Sequence, residues 1–134
     1  MTVERQVWEV ARITIKRVYD DASQSDGFRV LVDRLWPRGV SKVGAHVAVW
    51  LRDIAPSGAL RTWFGHDPSK FDEFRRRYAS ELDAMDEAYV PEAGPVAELR
   101  GICREHDVVT LVYSAKDEEH NNAVVLRDYL LRMM

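Results

Sequence analysis

FRVLVDRL, residues 28–35, is the stretch whose reading decides the fold. Phe28, Val30, Leu31, Val32 and Leu35 make a nearly continuous apolar run, the pattern of a strand buried on both faces. It ends in charge at Asp33 and Arg34. Downstream, residues 107–113 repeat the design: they are apolar after Asp107 apart from Thr110, and they pass into the polar segment 114–122. Upstream, residues 12–18 read as a third strand, because the β-branched Ile13 and Ile15 alternate with Thr14 and Lys16.

Between these strands the periodicity is helical. Trp50 and Ile54, four apart, suit a short turn of helix before Pro56, and Ser57 can cap a second one carrying Leu60 and Trp63 up to Gly65. The strongest helix follows. Asp67 is a cap, Pro68 suits the first position, and Phe71, Phe74, Tyr78, Leu82, Met85 and Tyr89 recur every three or four residues until Pro91. Pro95 opens a shorter helix with Val96, Leu99, Ile102 and Cys103 inward. A last helix, about 118–134, buries Val124, Val125, Tyr129, Leu130 and Met133.

Strands separated by helices predict an α/β fold: a compact single domain with a small, mainly parallel sheet covered by helices. Residues 1–11 read as a leader and 12–134 as the domain. The polarity of the first strand pair stays open. Its loop of about nine residues is short for a parallel crossover, which leaves a wide antiparallel hairpin as an alternative.

The 134 residues, 46% of them hydrophobic, suffice for a packed core. No apolar run approaches the roughly 20 residues that cross a bilayer, and the first dozen residues lack a secretory signal, so cytoplasm is expected and no membrane partner. Cys103 stands alone, which excludes an internal disulfide and a thiolate zinc cluster. The formal charge of −3 hides an asymmetry: residues 29–63 hold six basic and two acidic side chains, residues 81–128 twelve acidic and four basic. Fifteen of the nineteen basic residues are Arg, which favours forked contacts to oxyanions or carboxylates. Net acidity argues against a general nucleic-acid binder.

In open α/β sheets ligands sit beyond the carboxyl ends of the strands. Two segments lie there. Residues 33–42 join Asp33, Arg34, Trp36, Arg38 and Lys42 around a turn made by Pro37 and Gly39. Residues 113–122 carry Tyr113, Lys116, Asp117 and His120 from strand end to helix start. A third group, Arg61, Trp63 and His66, lies on the intervening helical segment. Asp33, His66, Asp117 and His120 are the candidates for moving protons. Arg34, Trp36, Arg38, Lys42, Arg61, Trp63, Tyr113 and Lys116 are the candidates for holding substrate, the cations by gripping an anion and the aromatics by stacking. Each also has a plain structural alternative: Trp36 filling the core, Asp33 paired with a neighbouring Arg, the acids after Lys116 complementing a helix dipole. His66, Asp67, Asp117 and His120 are zinc-compatible types, but their spacing fits no compact motif and no metal is assigned. Neither a Walker nor a dinucleotide glycine fingerprint is present, and no cofactor is read from the residues.

GFRVLVDRLWPRGVSK (27–42), APSGALRTWFGHDPSKFDEFRRRYASEL (55–82) and VTLVYSAKDEEHNNAVVL (109–126) resemble, in one colinear pass over residues 12–131, the YeaO-like family, a branch of the bacterial domain of unknown function 488. The resemblance implies a soluble bacterial protein with the α/β arrangement above, and it carries no catalytic residue across. The reading that follows is a cytoplasmic protein with an anion pocket at its strand ends, a hydrolase, a transferase or a degenerate enzyme acting on a phosphorylated or nucleoside-like metabolite. The alternative is a non-catalytic binding or regulatory module whose basic surface contacts nucleic acid or a protein partner.

Overall fold

In the computed structural model, which describes residues 12–88 and 93–133, four parallel strands form one sheet in the order β1-β4-β2-β3. They are β1 (Arg12–Arg17), β2 (Phe28–Leu31), β3 (Val49–Trp50) and β4 (Val108–Tyr113). The five α-helices are α1 (Lys42–Ala45), α2 (Gly58–Phe64), α3 (Phe71–Ala88), α4 (Gly94–Glu105) and α5 (Asn122–Met133). The expected leader 1–11, with Tyr89, Pro91 and Met134, lies outside the described residues.

The strands are all parallel, so the hairpin alternative for the first pair is overturned. β1 and β2 are not paired; β4 lies between them, pairing Ile15 with Leu111 on one side and Val30 with Leu111 on the other. The connection succeeds without a long helix because residues 18–27 run back as a strap across one sheet face. A turn of 3-10 helix, Gln24–Asp26, and the left-handed Gly27 (φ 63°) bring the strap down onto β2. Ten residues can span up to about 33 Å, more than one strand length plus two strand spacings requires.

Asp26 anchors that strap from a nearly buried position. It accepts from Lys16 Nζ at 2.9 Å, from Arg29 Nη1 at 2.7 Å and from the Ser23 amide at 2.9 Å. Buried Arg29 also donates to the carbonyls of Ala45 and His46, at 3.0 Å each, which ties in α1. Thr110 Oγ1 donates to the Asp26 carbonyl at 2.6 Å and shares a 2.8 Å hydrogen bond with Thr14 Oγ1. Charges taken out of water persist only when paired and hydrogen-bonded in this way.

The opposite face carries the main core. Val30, Val32, Val109 and Leu111 meet Phe74, Tyr78, Leu82, Leu99, Val125 and Leu130 from the helices. Phe64 stacks on Phe74 with centroids 4.2 Å apart, and Tyr78, fully buried, donates its hydroxyl to the Ile54 carbonyl at 2.6 Å. The strap-side core is small: Val18, Leu31, Ala45 and Val112 under Trp36, Val40, Val47 and Trp50. The expected stripe of the long helix is buried from Phe71 through Leu82.

Four expectations need correction. The strand read over 28–35 ends at Leu31, because the ladders to β4 and to β3 both stop there. Trp50 belongs to β3, and the turn of helix near it is a 3-10 segment at Arg52–Ile54. The last helix starts at Asn122 rather than 118, since Asp117 Oδ1 accepts the amides of Glu119 and His120 and holds a turn there. Met133 is exposed, its position falling beyond the end of the core.

Candidate functional site

Beyond the carboxyl ends of β1, β2 and β4, a cleft of about 670 Å³ opens between the strand-end loops and α2. Its volume falls within the roughly 300–1,000 Å³ typical of small-molecule sites. The strand ends build its floor. Asp33, two residues past β2, accepts from the Ser114 amide at 2.9 Å and hydroxyl at 2.7 Å on one oxygen, and from Asn122 Nδ2 at 3.1 Å on the other. Asn122 also donates to the Val32 carbonyl at 3.2 Å, so one carboxylate and one amide stitch β2, β4 and the start of α5 together.

The loop after β2 forms one wall. Trp36 donates its indole N–H to the Val40 carbonyl at 2.6 Å, closing a turn through Pro37 and the left-handed Gly39 (φ 78°). Tyr19 donates its hydroxyl to the Arg38 carbonyl at 2.9 Å, so the Arg38 backbone is pinned while its side chain is exposed. Arg34 turns inward, with Nη2 3.1 Å from the Ala55 carbonyl and Nε 3.3 Å from that of Pro56.

That brace sets α2, which forms the facing wall. Ser57 caps α2 by accepting from the Leu60 amide, and Glu81 of α3 accepts both the Ser57 amide (2.8 Å) and hydroxyl (2.6 Å). Gly65 and His66 both adopt left-handed backbone (φ 54° and 58°), ending α2 at the cleft with the exposed Arg61 and His66 on its border.

Seven of the twelve candidates line this one cleft: Asp33, Arg34, Trp36, Arg38, Arg61, His66 and Lys116. The other five do not. Tyr113 is core, its phenol pushed up by burial first and by the nearby Glu118 charge second. Trp63 lies on another side of α2, with the Arg77 guanidinium 4.1 Å and the Lys70 ammonium 5.2 Å from its ring. Lys42 opens α1, capped by Ser41. Asp117 and His120 pair with each other, Oδ2 to Nδ1 at 2.9 Å, and His120 meets the Phe71 ring edge-on. The Glu119 amide, above all, and the His120 ring and amide hold the Asp117 carboxyl below its ordinary value.

Sequence reasoning missed Arg17 and Tyr19, which line the cleft from the end of β1. Arg17 Nε donates to the Ala115 carbonyl at 2.9 Å and its guanidinium lies 5.2 Å from the Tyr19 ring centroid. The strand-end rule, applied to the first strand as it was to the other two, finds them. Ser114, Asn121 and Asn122 also line the cleft from within the segment already singled out.

The electrostatic balance is one-sided. Arg17, Arg34, Arg38, Arg61 and Lys116 face a single carboxylate among the described lining residues, and that carboxylate is already occupied by three donors. Arg38, Arg61 and Lys116 are exposed, and no other described residue hydrogen-bonds or ion-pairs with their side chains. Beneath the floor, burial first, then the charges of Asp33 and Glu81, push the Tyr78 phenol well above its ordinary value. Among the described residues no three His, Cys, Asp or Glu side chains gather as a metal site, and no helix is long and apolar enough to cross a membrane.

The chain is similar to the uncharacterized protein YeaO of Escherichia coli (strain K12), 42% identical over 118 residues that make up 88% of this chain and 96% of the relative. It is similar also to the uncharacterized protein Rv3073c of Mycobacterium tuberculosis (strain ATCC 25618 / H37Rv), 40% identical over 119 residues, 89% of this chain and 93% of the relative. No solved structure matches it. The sequence model of the inactive DUF488-N3 subclade matches residues 12–134, and the chain belongs to that family.

Proposed function

We propose that this is a cytoplasmic protein that binds a small phosphorylated or nucleoside-like anion in the cleft and holds it without transforming it. The observation that carries the reading is the set of three exposed cations, Arg38, Arg61 and Lys116, with no described partner on the wall of a preformed cleft. Charge-assisted hydrogen bonds to phosphate are the strongest use of such groups.

Binding without chemistry is favoured by what surrounds Asp33. A general base must be free to reach the proton it takes, and three of the roughly four acceptor positions of this carboxylate are taken by Ser114 and Asn122 as part of the floor. Ser114 spends its hydroxyl on the same carboxylate, and among the described lining residues no hydroxyl is hydrogen-bonded to His66. The description of the family as inactive agrees.

Thermal unfolding against a panel of phosphorylated metabolites and nucleotides tests the proposal, because a ligand selective for the native state raises its stability. A shift of several degrees that disappears in folded Arg38→Ala, with the ligand recovered intact, is expected. No shift from any phosphorylated compound contradicts binding, and recovery of a product contradicts the absence of chemistry. Association with single-stranded DNA or RNA that weakens steeply with salt would favour the nucleic-acid alternative.

A further inference from the structure

Resting on the anion-binding reading above, we infer that the cleft selects its ligand by the number of phosphate charges rather than by the hydrogen-bonding edge of a base. The ligand class is a polyphosphate chain, free or carried by a nucleoside of any base.

Most neutral polar side chains of the wall are already bonded within the protein. Ser114 Oγ donates to Asp33; both hydrogen bonds of the Asn122 amide nitrogen run to Asp33 and the Val32 carbonyl. Asn121 donates to the Asp117 carbonyl at 2.9 Å and accepts the Val124 amide at 3.0 Å. The Trp36 indole N–H and the Tyr19 hydroxyl are turned to loop carbonyls. What remains neutral and unbonded to a described residue is the Asn122 amide oxygen, together with the exposed Thr62 hydroxyl and His66 ring.

A site discriminates strongly between ligands when it dedicates buried donors and acceptors to one of them, since the wrong ligand then leaves those groups unpaired. Here most of the groups suited to that task are committed, and the three neutral ones left open are outweighed in charge and reach by the cationic heads. Trp36, with its N–H occupied, offers carbon surface, and stacking on an aromatic ring is tolerant of base identity. Three open cations match a chain of phosphates better than one phosphate, which would leave a cation unneutralised. Arg17 and Arg34, each holding one or two carbonyls, add positive potential from below.

Isothermal titration of the full chain with ATP, GTP, CTP, UTP, tripolyphosphate, AMP and adenosine tests this. The four triphosphates should bind within about threefold of one another and at least about tenfold tighter than AMP, with tripolyphosphate bound and adenosine not. Arg38→Ala and Lys116→Ala, at exposed positions where the melting temperature should hold, should each weaken ATP by about tenfold. A preference for one base above about tenfold, or AMP equal to ATP, overturns charge counting while anion binding stands. Silence from every phosphate-bearing probe removes both readings together.

Discussion

Ser114 reaches Asp33 twice, its amide at 2.9 Å and its hydroxyl at 2.7 Å ending on the same carboxylate oxygen, and this clasp joins the ends of the two central strands. Asn122 takes the second oxygen at 3.1 Å, so removing the carboxylate strands three donors at once. Asp33→Ala should therefore lower stability by about 1–3 kcal/mol in urea unfolding, and Ser114→Ala by about 1 kcal/mol. The two changes should be non-additive, because both remove the bond from the Ser114 hydroxyl to Asp33. Additive losses would show that the clasp does not act as a unit.

Asp26 is the second place where a carboxylate organises the fold. Removing it leaves Arg29, 5% exposed, without its counter-charge, and breaking a buried pair of this kind costs about 3–5 kcal/mol. Asp26→Ala should show a loss in that range near neutral pH. Burial alone would raise the Asp26 pKa, but hydrogen bonds from Lys16, the Ser23 amide and Arg29 outweigh it and hold the carboxyl below 3.8. A depressed folded-state pKa means that the contribution is complete above the unfolded value and is lost as pH falls through the lower folded value. The gap between wild type and Asp26→Ala should stay constant at higher pH and narrow only below about pH 4. A gap unchanged at pH 2.5–3 would contradict the ion-pair account.

Gly27 sets the entry of the strap into β2. Its φ is 63°, and a Cβ there would overlap the Val108 carbonyl oxygen and lie 2.7 Å from the Val108 Cβ on the central strand. Gly27→Ala combines backbone strain with a clash against backbone that cannot yield, a loss of about 2–4 kcal/mol. Gly39 isolates the first effect, since φ is 78° and nothing lies within 4 Å of its Cβ position. Gly39→Ala should cost about 1–2 kcal/mol. Equal losses at the two sites would mean that the approach to Val108 is unimportant.

The three long strands and the four longer helices were legible because each carries a dense apolar signal. β3 was not: two residues, Val49 and Trp50, hold no periodicity, and Trp50 is fixed by an indole bond to the Asp33 carbonyl at 2.7 Å that only the folded chain supplies. The parallel run from β1 to β2 was obscured because loop length alone suggested a hairpin, whereas Asp26 and Gly27 pin an extended strap. At the cleft, the strand-end rule located Asp33, Arg34, Arg38 and Lys116. Helical spacing does not say which side of α2 faces inward, so it cannot separate Trp63 from Arg61, although Arg77 and Lys70 cover the Trp63 ring elsewhere. The sequence position of Tyr113 at a strand end suggests the rim, yet strand alternation turns it into the helix-side core.

Arg38 and Lys116 separate ligand binding from stability. Both side chains are exposed and without a described partner, so Arg38→Ala and Lys116→Ala should change unfolding free energy by less than about 0.5 kcal/mol. The clasp and strap variants should do the reverse. A large stability loss at Arg38 would make it a structural residue.

Backbone amide NMR of the isotope-labelled full chain during titration with ATP tests the central claim most directly. Saturating shifts confined to the loops around Arg38 and Lys116 and to α2 around Arg61, and absent in the Arg38→Ala, Lys116→Ala double variant, are the result the account expects. Shifts centred away from the strand ends, or none at millimolar ATP, would contradict it.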